Sequence, residues 1–268
     1  MATTDKLFAG SIPEIYDRLL VPLIFESCAR DLAERMAATK PATVLEVAAG
    51  TGALTRALAS RLPEARIVAT DLNQPMLDRA AERQPAGRVE WKQADALALP
   101  FPEASFDAVA CQFGAMFFPD KVQGYREARR VLKGGGRYLF NVWDRIADNE
   151  FADVVTEALA AVFPDDPPRF MARTPHGYHD VALIRRELEA AGFAGIEVDA
   201  VDGVSKASSP RIPAIAICQG TPLRNEIEAR DAARLEEATE RAAEAVARRF
   251  GNGAVEGRIR ALVITARR

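Results

Sequence analysis

Residues 43–62 read TVLEVAAGTGALTRALASRL. A β-rich apolar run meets two glycines and leaves as a helix-forming stretch that stops before Pro63. A strand that turns this sharply into a helix must pack that helix back onto its own sheet. The pattern recurs. Strands are predicted at 66–71, 88–95, 106–114 and 136–144, and helices at 53–62, 75–83 and 121–133. Pro75 suits the first turn of its helix. The triple glycine 134–136 reads as the C-cap of the helix over 121–133. Such alternation predicts an α/β fold, a parallel sheet with helices on both faces.

Outside this core the rhythm loosens. Residues 1–40 carry apolar residues at helical spacing, with Pro13 and Pro22 expected to break the run into pieces. Beyond Asp144 come a helix at 150–163, the loop PDDPPRFMARTPHGYHD, a helix at 181–192 closed by Gly192, and a strand at 196–203. The charged, alanine-rich segment 222–250 reads as two helices meeting near Asp231, an N-cap residue. Leu235, Ala238, Ala242 and Val246 line one side of the second. A last strand is predicted at 258–267.

Composition removes several classes of function. With 49% hydrophobic residues the 268-residue chain can bury a sizeable core, and its net charge of -3 offers no field for a phosphate backbone. Nucleic acid is therefore not an expected partner. The start, MATTDKLFAG, has no signal-peptide apolar stretch, and no run approaches the roughly 20 apolar residues of a membrane span. Cys28, Cys111 and Cys218 are far apart and odd in number, which fits neither a disulfide framework nor a zinc spacing. Free thiols in a reducing, cytoplasmic setting are expected. The only two histidines are His176 and His179, so no metal-ligand cluster is expected.

Two cofactors compete for the glycine turn. Gly50 to Thr55 gives G-x-G-x-x-T, without the third small residue of a dinucleotide turn. Asp71, about 20 residues on, suits a ribose hydroxyl in either case. Glu46 lies inside the strand, where a pyrophosphate has no use for it; a ligand bearing an amine and a sulfonium does. Asp95, in QADALALPF, is placed to accept from an adenine amino group beside the apolar Ala96 and Leu97. FDAVACQFGAMFFPD and, after the next helix, VLKGGGRYLF complete the pattern.

Together these motifs resemble those of the class I S-adenosylmethionine-dependent methyltransferases. The chain is similar to the type 11 group that includes the ubiquinone/menaquinone-pathway C-methyltransferases. The likeness is good over residues 40–145 and fair over 175–203. VLEVAAGTG corresponds to the family's E/D-x-G-x-G-x-G, with Ala48 at the first glycine, where alanine is tolerable if the backbone keeps a negative φ. The resemblance implies a Rossmann-like, mostly parallel seven-stranded sheet with its last strand antiparallel and extra helices at both ends. It implies one domain over 1–268, with a helical cap at 1–40, a cofactor core at 41–145, and acceptor-side helices and last strands at 146–268, including a helical insertion at 222–250. It implies S-adenosylmethionine as cofactor and S-adenosylhomocysteine as product. By resemblance, the turn Gly50-Thr51-Gly52 admits the methionine part and Asp71 takes the ribose. Asp95 and Ala96 take the adenine, and Leu72 and Met76 sandwich it. The main chain at Gln112 and Phe113 holds the ammonium, and Tyr16 on the N-terminal helix closes over the cofactor.

Methyl transfer is an in-line displacement, for which the protein mainly aligns the acceptor and excludes water. The aromatic segments after strands four and five point to a small apolar or aromatic acceptor, with Phe117 and Trp143 as pocket residues. Asp144, His176 and His179 are candidate bases; for His179 the favoured reading is a turn fixed with Asp180 before the helix at 181. Three other functions compete. A binding protein without catalysis would keep the same acids. A nucleic-acid methyltransferase would need N/D-P-P-Y/F/W where this chain has CQFG; DDPPRF at 165–170 is misplaced and carries Arg169 at the aromatic position. An NAD-linked oxidoreductase would need the missing small residue. A homodimer through the added helices is a further expectation.

Overall fold

The computed structural model describes Asp5, residues 7–84 and residues 87–268. In chain order, α1 (Ile12–Ile15) is followed by a π-helical stretch over Tyr16–Phe25 and by α2 (Glu26–Ala37). Then come β1 (Thr43–Val47), α3 (Ala53–Arg61), β2 (Arg66–Asp71), α4 (Gln74–Glu82), β3 (Val89–Gln93), β4 (Phe106–Gln112), α5 (Lys121–Val131) and β5 (Leu132–Trp143). The rest is α6 (Glu150–Val162), α7 (Phe170–Arg173), α8 (Val181–Ala190), β6 (Ala194–Ala207), α9 (Arg211–Gln219), α10 (Leu223–Asp231), α11 (Leu235–Phe250) and β7 (Val255–Arg267). The strands form one seven-stranded sheet in the order β3-β2-β1-β4-β5-β7-β6. Pairs β1–β2, β1–β4, β2–β3 and β4–β5 are parallel, and β5 and β7 are antiparallel. The expected fold class is the observed one. The order reverses beside β1, so β1 and β4 diverge at the topological switch point, where open α/β sheets bind ligands at the carboxyl ends of their strands.

The chain divides into two compact units, each assembled from separated stretches. One holds residues 26–142, 178–201 and 261–268. Its central strand β1 is buried from Val44 to Val47, as a parallel strand covered on both faces must be. Leu32 and Met36 of α2, Leu54 and Leu58 of α3, and Val44, Ile67, Ala108, Ala110 and Leu139 of the strands make one apolar cluster. The other unit holds the described residues up to Phe25, with 143–177 and 202–260. There α6, α9 and α11 pack on one another, and Ala238, Ala242 and Val246 are buried on one face of α11 as their spacing requires. Asp231 caps the turn between α10 and α11 by accepting from Ala233 N–H at 3.0 Å.

Four local expectations change. The triple glycine does not end α5: Leu132 enters β5 directly, and Gly134 and Gly135 are exposed residues within the strand. Two residues of β4 are matched against five of β5 there, Phe106 facing Leu132 and Ala108 facing Arg137. The glycines form a bulge, with Gly135 at φ +77°. Pro22 does not break the helix, because it sits inside the π-helical stretch, whose wider turn accommodates a residue without an N–H. The strand expected at 196–203 extends over Ala194–Ala207. Helix α9 is an addition to the expected elements. Pro210 is its N-cap and Pro213 lies in its first turn, where no intrahelical N–H bond is lost. Of the cap expected at 1–40, residues 1–4 and Lys6 lie outside the described residues.

Asp180 is the N-cap of α8, with Oδ1 accepting from Ala182 N–H at 2.8 Å and Leu183 N–H at 3.2 Å. Replacing Asp180 by Ala should lower stability by about 1 kcal/mol in urea unfolding, and replacing it by Ser should recover most of that loss.

Candidate active site

A carboxyl group inside a buried strand is the first element of the site. Glu46 is 0% exposed. Its Oε2 accepts from Thr55 Oγ1 at 2.6 Å, and its Oε1 has no hydrogen-bond partner among the described residues. Burial disfavours the charged form and pushes its pKa up to about 8, against the smaller pull of the Thr55 hydroxyl and of the Arg56 charge; the negative charge of Asp71 adds to the rise. Glu46 therefore carries its proton at neutral pH in the free protein. Thr55 stands out in the sequence only as a departure from the dinucleotide motif, which gives no hint of its role. It lies in the first turn of α3 and anchors that helix to the acid.

The glycine turn is tied down by a second acid. Asp71 ends β2, and its Oδ2 accepts from Gly50 N–H at 2.8 Å while Oδ1 accepts from Asn73 N–H at 2.8 Å. Burial raises its pKa, and these main-chain donors oppose the rise. Gly50 and Gly52 have φ of +57° and +78°. Gly52 is small for a packing reason as well: a Cβ there would lie 3.0 Å from the ring of Trp91.

Ala48 departs from expectation. Its φ is +55°, in the left-handed region, so the alanine does not avoid the conformation that the family's glycine serves. Phe113, on the loop after β4, is also left-handed, at +50°. Non-glycine residues there are strained and persist only when their surroundings over-determine them. The surroundings are Gly114, on which a Cβ would lie 2.5 Å from the Ala48 Cβ and 2.8 Å from Cys111 Sγ. Phe113 N–H is held by both oxygens of Asn141, the side-chain Oδ1 at 3.0 Å and the main-chain carbonyl at 3.1 Å. Asn141 is 0% exposed, and its Nδ2 has no partner. Its signal in the sequence is a lone polar residue in the apolar run YLFNVW, the same signal that singles out Glu46.

The remaining expected residues of this unit fall as follows. Thr51 is buried with its Oγ1 unpartnered. Leu72, beside Asp71, is 45% exposed, whereas Met76 is buried. Asp95 lies two residues beyond β3, exposed, with Oδ1 accepting from Leu97 N–H at 2.9 Å, and Ala96 next to it is half-buried. Gln112 ends β4 opposite Asn141 in register, and Phe117 is half-buried in a short 3-10 turn. His179 is half-buried and immediately precedes Asp180, the N-cap of α8.

Tyr16, Trp143, Asp144 and His176 belong to the other unit. His176 is buried, with Nδ1 2.9 Å from the main-chain oxygen of Asp144. A carbonyl only accepts, so Nδ1 carries the proton and Nε2 is the basic nitrogen of the neutral ring. The Asp144 carboxylate instead faces Arg260 Nε at 3.3 Å and Arg145 N–H at 2.8 Å. Tyr16 stacks on Phe25 at 5.1 Å, Phe25 meets Trp143 at 5.9 Å, and Trp143 meets the His176 ring at 6.0 Å, a row of aromatic faces.

The two strained features bear on stability in different ways. A proton bound by folded Glu46 up to about pH 8 is lost from the unfolded chain above its ordinary 4.5. Between these values the folded state holds more protons, so this group's contribution to stability falls as pH rises. Glu46→Gln should therefore melt at a temperature close to the wild type's at pH 5 and above it at pH 8.5. Gly114→Ala should lower stability by about 1–3 kcal/mol through overpacking. Adding Ala48→Gly should recover part of it, a non-additive pair in urea unfolding.

The chain was compared with known proteins. Residues 44–136 match the family described as "Methyltransferase domain". The demethylmenaquinone methyltransferase of Deinococcus radiodurans is 39% identical over 164 residues, covering 60% of this chain and 68% of that protein. The ubiquinone/menaquinone biosynthesis C-methyltransferase of Ectopseudomonas mendocina is 34% identical over 164 residues, covering 56% of this chain and 64% of that one. Among solved structures, the YcgJ protein of Bacillus subtilis shares the fold with a TM-score of 0.57 at 19% identity, covering 89% of this chain and 98% of that chain. A buried acid below a left-handed glycine turn, a second acid ending β2, and this kinship have one common explanation: the chain belongs to the class I S-adenosylmethionine-dependent methyltransferases.

Proposed function

We propose that the enzyme methylates a small aromatic acceptor of quinol type, and that His176 takes up the acceptor's proton. The observation that carries the cofactor half is Glu46, wholly buried under the glycine turn with one oxygen unpartnered. A buried polar atom without a partner is destabilising by about 1–3 kcal/mol, and a cationic ligand offers one. S-adenosylmethionine, when bound, supplies a methyl group on a sulfonium, already a good leaving group. The fit is chemical: Glu46 offers an acceptor to the cationic end, the Gly50–Gly52 turn offers main-chain approach, and Asp71 keeps lone pairs for the ribose diol. Leu72 gives the adenine an apolar neighbour, and Asp95 accepts from its amino group.

The acceptor half rests on the aromatic row Tyr16, Phe25, Trp143 and His176 and on the relatives, whose names refer to demethylmenaquinone and to ubiquinone/menaquinone biosynthesis. An electron-rich ring lies flat against such faces. His176, its Nδ1 fixed on a carbonyl, presents a nitrogen whose pKa range suits proton uptake near neutrality. Asp144 fixes the imidazole through its main chain, while its carboxylate is engaged by Arg260. No described helix is long and apolar enough to cross a membrane.

Calorimetry with S-adenosylhomocysteine should give micromolar binding that Asp71→Ala abolishes. With 1,4-naphthoquinol and S-adenosylmethionine, the wild type should form S-adenosylhomocysteine, and His176→Ala should lower kcat by about 10²-fold or more with unchanged S-adenosylhomocysteine affinity. An unchanged kcat would remove His176 from the chemistry. No turnover with the naphthoquinol, but turnover with a catechol or an amine, would move the acceptor class.

A further inference from the structure

Asn141 has a donor that nothing among the described residues uses. It lies in the most buried part of β5, opposite Gln112, and is 0% exposed. Its Oδ1 has a clear task, accepting from Phe113 N–H at 3.0 Å and so holding a left-handed aromatic residue in place. That task needs only an acceptor. A carboxamide brings an N–H pair as well, and its Nδ2 is buried without a partner. Buried donors are nearly always satisfied, by the protein or by something bound to it.

The neighbours of Asn141 say what that something is. Phe113 adjoins Gly114, which closes against Ala48 of the glycine turn. Three residues on from Ala48, Thr51 has its own buried, unpartnered Oγ1; two residues before it, Glu46 has an unpartnered Oε1. An acid of β1, a hydroxyl of the turn and an amide of β5 are thus all without partners among the described residues. An acid complements an ammonium, and N–H and O–H donors complement a carboxylate. The set matches a free amino-acid end.

We propose that the Asn141 amide Nδ2–H donates to the carboxylate of the cofactor's amino-acid end, so that Asn141 selects ligands that carry this end. The inference rests on the S-adenosylmethionine reading and goes beyond it by assigning a residue to one group of the ligand. Asn141→Asp keeps an acceptor for Phe113 N–H and removes the amide N–H pair, leaving an oxygen in its place. The test is calorimetry of the full chain with S-adenosylhomocysteine and with 5′-methylthioadenosine, which lacks the amino-acid end.

The variant should bind S-adenosylhomocysteine at least tenfold more weakly than the wild type and 5′-methylthioadenosine within twofold. The preference of the wild type for S-adenosylmethionine over its decarboxylated form should also vanish in the variant. Equal loss for both nucleosides would make Asn141 merely structural, and no loss for either would leave its amide without this role; both overturn the proposal. Should Asn141→Asp fail to show a cooperative melt, Asn141→Ser takes its place: selective loss of S-adenosylhomocysteine supports the proposal, and equal loss or no loss overturns it. A wild type that binds neither nucleoside overturns the cofactor reading itself, a result distinct from selective failure of the variant.

Discussion

A carboxyl group with no route to water organises this site. β1 is covered on both faces, so Glu46 can neither turn outward nor be hydrated where it stands. It is held by a hydroxyl from the next helix, and that bond fixes the first turn of α3 relative to the strand it leaves. Asp71 does the corresponding work from β2 by holding Gly50 N–H. Two acids from adjacent strands thus set the turn before any ligand arrives. A turn set in advance loses little freedom on binding, which favours affinity.

The loop after β4 answers this turn with strain of its own. Ala48 and Phe113 both adopt conformations that glycine would take more easily, and the residue that is glycine, Gly114, lies between them in the packing. The small residue has in effect moved across the contact: the turn carries a methyl group, and the facing loop gives it room. Strain of this kind survives where many contacts agree, and it collects at functional sites. Asn141 is one of those contacts, since both its oxygens hold the Phe113 N–H.

Much of this was legible in the chain. The strand–turn–helix rhythm through residue 131 predicted the parallel sheet, because covered parallel strands read as apolar runs and any acid in them stands out. Glu46 and Asp71 were visible for that reason. Thr55 was not, and Asn141 shows only as a lone polar residue in YLFNVW, because the hydrogen bond that gives each its task joins separate elements and leaves no local pattern. The left-handed φ of Ala48 was invisible because alanine argues for the opposite. Pro22 misled as a breaker because the effect of a proline depends on the kind of turn it occupies.

The glycine bulge in β5 separates two registers. Before it, Leu132 faces Phe106; after it, the pairing runs unbroken from Arg137 to Asn141. A one-residue slip in an ordinary strand would turn every later side chain to the opposite face. Here the exposed loop of Gly134 and Gly135 takes up slack instead. The chain therefore has an evolutionary buffer. Residues can be gained or lost at this bulge within β5 without passing the error along to Asn141, and the length of the bulge is free to drift while the residue facing Gln112 stays in place.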